Sequence, residues 1–578
     1  MFKKFGWFIK YYKKEYILAI AFLLASDLMG LIPPYITGKL TDLVFTNSIG
    51  LKSFIAIIAF DLFVILIKYF FAMGWSYFVF KGGYTIENRA RDRLMDKFLR
   101  QSQRFFERNS TGSLMARSTN DVIALQDLGG FGLLAFFDST FFPLLIVIMM
   151  AILIDFRLTL VSIIPLPFLA ILYIIIGKKV NQKYRLAQKS FDKLNDRVLE
   201  DVEGIRIIRV YNLVKTRIRG FKEKSRELRD RNMDQVVFEA MMNPVERIVP
   251  AITFAIAIFY GARLISRSEI TIGQLVSFTY YLNMLVWPMR AFGRFINVYQ
   301  QASASMDRIA SILNYHEEIE ATDDKKDLTG SADISLDSLS FSYPSSKEKV
   351  LDKISLEIRS GSSLGIVGKT GSGKTSLIKQ FLDLYSVDKG AIYVNDRPLD
   401  SYSMKSFKEK IGYVPQKHMI FSKTIRDNIR FSKPEAGDEE ILSAIRKADF
   451  EKDLEKFPKG LDTLAGEKGI SLSGGQKQRI EIARALIKDP EILILDDAMS
   501  AVDANTEKNI LKSIRDEAKS RTLIIASHRL SQVKDCDEII VLDQGRIIER
   551  GSHEDLMAYD GWYRKQFIRQ ERGVSDGQ

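Results

Sequence analysis

One cysteine, Cys536, stands in the whole of this 578-residue chain. That scarcity excludes a disulfide framework, cysteine-rich zinc sites and iron–sulfur clusters. With no cysteine upstream of it, a cysteine-protease leader domain is excluded as well. Glycine and proline are almost missing from residues 189–231, where only Gly204 and Gly220 occur, so no turn chemistry interrupts a helix there. The first apolar run lacks what a cleaved signal peptide needs. It is too long, it carries Asp27 and the Pro33-Pro34 pair, and no small-residue cleavage site follows it.

What is present divides the chain in two. Domains usually hold about 100–200 residues, so one hydrophobic core cannot serve this length. Hydrophobic residues make up 47% and charged residues 27%, an average that would pass for a soluble protein. The apolar residues, however, are concentrated in the first half, which excludes a wholly soluble or wholly disordered chain. A helix needs about 20 apolar residues to cross a bilayer. Six runs qualify: 16–36, 54–80, 129–154, 158–177, 248–264 and 272–292, the fifth closed early by Arg263 and Arg267.

Lysine and arginine outnumber aspartate and glutamate by 83 to 71, a net charge of +12. A basic excess suits nucleic acid or an anionic membrane surface, and its placement decides for the membrane. Basic residues crowd the N-terminal stretch (Lys3, Lys4, Lys10, Lys13, Lys14) and the connections 81–128 and 178–247, whereas the opposite loops hold only Lys39, Lys52, Arg157, Arg263 and Arg267. The positive-inside rule then puts both chain ends in the cytoplasm. No nucleic-acid partner is expected. The two long connections read as helices running out of the membrane, with tips near Thr111-Gly112 and Glu203-Gly204 that either lie solvated or link mechanically to the second domain.

An acidic linker, 317–327, leads into a globular pattern with strands expected at 334–341, 354–358 and 364–367. The last runs into Gly368, Lys369, Thr370, Gly371, Ser372, Gly373, Lys374, Thr375 and Ser376, the full phosphate-loop pattern opening a helix. Glycines there let backbone amides turn inward on phosphates, Lys374 reaches the outer phosphates and Thr375 supplies a magnesium ligand. An apolar strand at 492–495 delivers Asp496, placed to hold magnesium, and Asp497, placed to orient the attacking water. Between these motifs lie Leu472, Ser473, Gly474, Gly475 and Gln476 before a basic helical stretch. They make either a second anion site at a helix N-terminus or a plainly capped turn.

In this order the motifs resemble those of an ABC exporter half-transporter, and the resemblance spans essentially the whole chain. It implies an all-α six-span transmembrane domain at 1–315, a linker at 316–332 and an α/β P-loop ABC ATPase domain at 333–578. By the same resemblance Tyr343 stacks on adenine, Gln416 is the Q-loop glutamine and a further magnesium ligand, residues 472–476 form the signature, Asp503 closes the D-loop and His528 is the switch histidine. Gly466–Gly469 resembles the loop that meets the coupling helices, with Glu467 able to pair with Arg206 or Arg117. ATP and Mg2+ are the implied cofactors. Each ATP lies between one chain's phosphate loop and another's signature, so a dimer is implied.

One position departs from the pattern. Family members with full ATPase activity carry Glu where this chain has Asp497. A carboxylate one methylene shorter sits back from its water, and a misplacement of about 1 Å can cost around a hundredfold in rate. The chain therefore resembles the degenerate-site subunit of Gram-positive heterodimeric multidrug exporters, with a second ABC half-transporter as partner in the cytoplasmic membrane. Intramembrane charges are costly and usually paired or functional; here they are Asp27, Asp61, Lys68 and Asp138, with Asp61 and Lys68 spaced to share a helix face. Asp61, Asp138, Tyr281, Asn283 and Trp287 are the substrate-path candidates. The expected activity is ATP-driven export of hydrophobic or amphipathic small molecules. Lipid flipping or export of a peptide or siderophore is the alternative within the fold, and an ATP-gated channel or sensor the alternative outside it.

Overall fold

The computed structural model describes residues 2–316, 325–344, 346, 348–385, 390–466, 469–516 and 521–575. By contact the chain divides into two compact units: Met1–Leu99 with Asn109–His316, and Arg100–Arg108 with Glu317–Gln578. Glu467 and Lys468 lie outside the described residues.

The first unit is helical. Leu51–Leu99 is one unbroken helix of 49 residues. At about 1.5 Å per residue it is roughly 74 Å long, more than twice the ~30 Å hydrocarbon core, so it must continue far beyond a bilayer. Its middle exposes Phe60, Leu62, Phe63, Leu66, Tyr69, Phe70 and Met73. An apolar face of that extent suits lipid, since a helix satisfies its own backbone groups there. The helix Leu166–Glu203 likewise continues past its apolar part into a polar stretch.

Among the described residues four helices are long and apolar enough to cross a membrane: Tyr12–Phe45, Leu51–Leu99, Thr111–Leu153 and Arg247–Ser266. The expected run 158–177 falls instead on two helices, Phe156–Ile163 and Leu166–Glu203, parted at Pro165. The run 272–292 falls on Ile272–Met284 and Val286–Leu313, parted at Leu285 with Pro288 in the first turn of the second. Proline removes a backbone donor and crowds the preceding turn, which accounts for breaks that hydropathy alone does not register. The run closed early by Arg263 and Arg267 lies on an unbroken helix.

Close packing within this unit rests on small residues. A Cβ on Gly38 would stand 2.4 Å from the Gly273 carbonyl oxygen, and one on Gly273 would stand 2.0 Å from that of Gly38. The helices Ile32–Phe45 and Ile272–Met284 cross there backbone to backbone. Around the crossing the Gly273 amide and the Thr271 hydroxyl donate to Asp42 at 2.7 and 2.6 Å, and the Ser277 hydroxyl donates to the Pro34 carbonyl at 2.8 Å.

The second unit holds two sheets. Strands β1 (Ile334–Phe341), β2 (Leu351–Ile358), β4 (Ile392–Val394) and β5 (Arg397–Pro398) form an antiparallel sheet ordered β2-β1-β4-β5. Strands β3 (Ser363–Gly368), β6 (Ile411–Val414), β7 (Ile492–Asp496), β8 (Thr522–Ala526), β9 (Glu538–Asp543) and β10 (Arg546–Gly551) form a sheet ordered β10-β9-β3-β8-β7-β6. Every pairing in it is parallel except that of β10 with β9. Strands buried on both faces read as continuous apolar runs, as Ile492–Leu495 does, and all of β7 and β8 is buried.

Candidate functional site

A parallel sheet brings the loops after its strands to one edge, the usual place for a ligand. Here that edge collects Gly368 at the end of β3, Gln416 after β6, Asp496 at the end of β7 with Asp497 following it, and His528 after β8. The chain leaves β3 through Gly368, which only glycine can occupy: its φ is +148°, and a Cβ there would stand 2.2 Å from the Leu542 carbonyl oxygen. Gly371 and Gly373 also take positive φ, and the helix Lys374–Phe381 begins directly after them. Its free amides and positive end make a phosphate cradle.

Lys374 is buried, and its ammonium donates to the carbonyls of Gly368 and Lys369 at 2.8 and 3.0 Å. Burial pulls it below the ordinary lysine value, against the pull of Asp497 and Asp496. Thr375 donates from its hydroxyl to Asp496 Oδ1 at 3.1 Å. Asp496 is only 2% exposed, and its second oxygen has no hydrogen-bond partner among the described residues. Burial raises its pKa to about 6. A buried carboxylate with one orphaned oxygen beside a threonine hydroxyl fits Mg2+, which takes one or two protein oxygens and completes its shell from phosphates and water. Ser372 Oγ is likewise buried and unpartnered among the described residues.

Asp497 holds a left-handed backbone, φ +48°, with its amide donating to the Ala526 carbonyl at 2.8 Å. Aspartate tolerates that conformation better than most side chains. His528 is half-buried; desolvation, then the Lys374 ammonium, pushes its imidazole below the ordinary value, with Asp497 opposing. It is therefore neutral at pH 7. Gln416 is exposed at the same edge.

Tyr343 reaches the first turn of the phosphate-loop helix, its hydroxyl 2.9 Å from Ser376 Oγ. Its ring packs against Phe341 and Tyr385, with the Lys379 ammonium 5.2 Å above it. Tyr385 in turn donates to Glu107 on the short helix Gln103–Arg108. That helix, with Phe105 fully buried, belongs to the second unit, whereas Thr111–Ala116, where the sequence put the tip, belongs to the first.

Ser473 caps the helix Gly474–Leu486 in a reciprocal box with Gln476, and Leu472 is buried while Ser473 and Gly474 are exposed. The capped turn expected at this position is present, and its Ser473 and Gly474 face outward. Among the described residues no hydrogen bond joins this turn to the phosphate loop. Asp503 caps the helix Ala504–Asp516 by accepting from Asn505 and Thr506 amides at 3.1 Å, which holds its carboxyl below the usual range.

Sequence reading missed the struts between these loops. Gln478 donates to Ser500 Oγ and accepts from the Ala501 amide, tying the signature helix to the segment after Asp497. Glu481 on the same helix is 1% exposed and accepts from the Met419 amide and from His418, tying it to the loop after Gln416. The signal was there: a helical repeat that turns Gln478 and Glu481 inward. The lone thiol of Cys536 is buried, and burial pushes it up to about 12.

In the first unit Trp287 Nε1 donates to the buried carboxylate of Asp138 at 2.9 Å, uniting two substrate-path candidates. Lys68 lies against Gly30, and its charge reaches Asp27. One oxygen of Asp61 has no partner among the described residues. Tyr281 is fully buried and donates to the Leu31 carbonyl at 2.7 Å, a packing contact, whereas Asn283 is exposed.

Family models agree with this division: the ABC transporter transmembrane region matches residues 16–289 and the ABC transporter model matches 351–500. A Bacillus subtilis protein, "Probable multidrug resistance ABC transporter ATP-binding/permease protein YheI", is 43% identical over 98% of this chain and 97% of its own length. The chain belongs to the ABC transporter family. "Multidrug resistance-like ATP-binding protein MdlA" of Buchnera aphidicola is 38% identical over 99% of this chain and 98% of its own. A solved bacterial Atm1-family ABC exporter with ATP bound superimposes with a TM-score of 0.79 at 23% identity, covering 96% of this chain and 98% of that one, which shows the same fold. The protein is thus an ABC exporter, a helical membrane region followed by an ATPase domain that binds and hydrolyses ATP.

Proposed function

We propose that the chain exports hydrophobic or amphipathic compounds from the cytoplasmic membrane as one half of a heterodimer, with six spans and both ends in the cytoplasm. Its own ATP site is slow, and its signature completes the partner's site. The observation that carries this reading is Asp497, one methylene short of the usual glutamate, beside an intact, exposed and capped Ser473-Gly474-Gly475 turn. Relatives whose names carry multidrug resistance support the substrate class.

In this reading Tyr343 stacks on adenine, the amides of 369–376 and Lys374 hold the phosphates, and neutral His528 hydrogen-bonds the outermost phosphate. Thr375, Asp496 and Gln416 would hold Mg2+, which when bound neutralises charge on the phosphates. Asp497 orients water poorly, and Asp503 shapes the turn facing the partner. Asp61, Asp138, Asn283 and Trp287 lie along the substrate path, with Tyr281 behind them.

The deciding experiment compares the chain alone with the chain co-expressed beside a second half-transporter carrying Glu at the position of Asp497. Slow ATPase alone and drug-stimulated ATPase together is the expected result. A fast, drug-stimulated transporter made of this chain alone refutes the heterodimer.

A further inference from the structure

A cavity of about 340 Å³ opens in the first unit between the helices Leu166–Glu203, Met242–Ser266 and Val286–Leu313. It lies where the apolar parts of two of these helices end and their polar extensions begin. Lys178, Arg290 and Arg294 line it, with the amides of Asn181, Asn297 and Gln300 between them. None of the described lining residues is acidic, and apolar Ile174, Met242 and Ile296 complete the wall. The sequence around it is locally basic: no Asp or Glu occurs between Asp155 and Asp192, or between Glu269 and Asp307. The Arg294 guanidinium carbon lies 4.6 Å from the centroid of the Phe131 ring, a cation–π contact. Gly177 and Gly293 also line the cavity, and a Cβ on either would meet nothing within 4 Å. A larger side chain at either position would therefore have room to extend from the helix.

Three cations, three amides and an apolar wall are the complement of an anionic headgroup on an aliphatic tail. Arginine binds phosphate or carboxylate in a bidentate fork, and amides supply further donors. We propose that this cavity binds the anionic headgroup of an amphipath, phosphate or carboxylate, and so biases the exporter toward anionic rather than cationic substrates. The inference rests on the export reading for its consequence but not for its binding chemistry. A membrane phospholipid and an exported amphipath share that headgroup chemistry.

The test uses the full chain in phosphatidylcholine nanodiscs without ATP, and three fluorescently labelled dodecyl probes bearing phosphate, trimethylammonium or hydroxyl. Phosphate should bind at least about tenfold tighter than trimethylammonium, as loss of one or two charge-assisted hydrogen bonds implies. The double variant Lys178→Gln/Arg294→Gln should erase that preference. Gly293→Leu keeps every charge and improves helix propensity, yet fills the cavity, and it too should abolish phosphate binding. Equal affinity for the three probes, or a preference that survives both variants, overturns the proposal. Doping the nanodiscs with phosphatidylglycerol separates the sources: competition marks a lipid-headgroup site, and unaltered probe binding marks an amphipath site. Headgroup-selective binding without transport of any probe by the co-expressed pair would refute the export reading while leaving the site standing.

Discussion

Asp496 shows how a single buried carboxylate sets the poise of the site. Its folded-state pKa, raised by burial to about 6 from 3.8, means that the folded chain holds a proton the unfolded chain has released between those values. Stability therefore falls as pH rises through that window, and above it the ionised carboxylate costs on the order of 2–3 kcal/mol. Asp496→Asn should raise the melting temperature of the nucleotide-free protein at pH 7.5 while abolishing the hydrolysis that this chain's own site supports. At pH 5 roughly half of that gain should remain, because the wild-type group is by then largely protonated. Calorimetry at the two pH values decides it, and a melting temperature unchanged by the substitution at pH 7.5 would contradict the burial argument.

At the scale of elements, the Gly38–Gly273 crossing is a joint with no room. Gly38→Leu must push two backbones apart, and overpacking of this kind costs about 1–3 kcal/mol or more. Lower yield of folded protein and a depressed melting temperature in detergent are expected, with Gly293→Leu as the tolerated control. The helix Gln103–Arg108 packs within the second unit. Its Glu107 is held by Tyr385, which shares its ring contacts with Tyr343 and Lys379 at the phosphate-loop helix. This chain of contacts lies within the second unit, and a coupling role would require that the membrane unit bias it as well. Tyr385→Phe removes only the hydroxyl; basal ATPase should persist, while drug stimulation and vesicle transport fall at least about tenfold, in line with about 1.5–3 kcal/mol for a hydrogen bond to a charged group. Transport and ATPase lost in equal proportion would end that assignment. The second tip, Ile205–Val210, leaves Ile207 and Val210 exposed at 62% and 80%. Ile207→Asp should uncouple in the same assay.

For the whole molecule, the two ATP sites of the proposed heterodimer are unequal. Ser473→Ala removes a helix cap worth about 1 kcal/mol and a phosphate donor at the partner's fast site, so it should remove most of the ATPase of the co-expressed pair. Asp497→Asn touches only the slow site and should change turnover modestly. Steady-state ATPase on matched preparations is the measurement, and the reverse order would sink the assignment of sites.

Composition and local pattern by themselves determined the two-part organisation, the phosphate loop, β7 with its paired aspartates and the Ser473 cap. Each is written in consecutive residues: glycines where φ must be positive, apolar runs where a strand is buried on both faces, a hydroxyl before a helix. Hydropathy also marked the membrane half, but not the breaks at Pro165 and Leu285, because summed apolarity is blind to a missing backbone donor. Only the tertiary structure decided which distant groups meet. It turned Lys68 toward Asp27, closed Trp287 on Asp138, set Glu107 against Tyr385 and gathered Lys178, Arg290 and Arg294 around one cavity. Such contacts depend on helix rotation and crossing, which a few ångströms of packing between small residues fix and no local sequence window encodes.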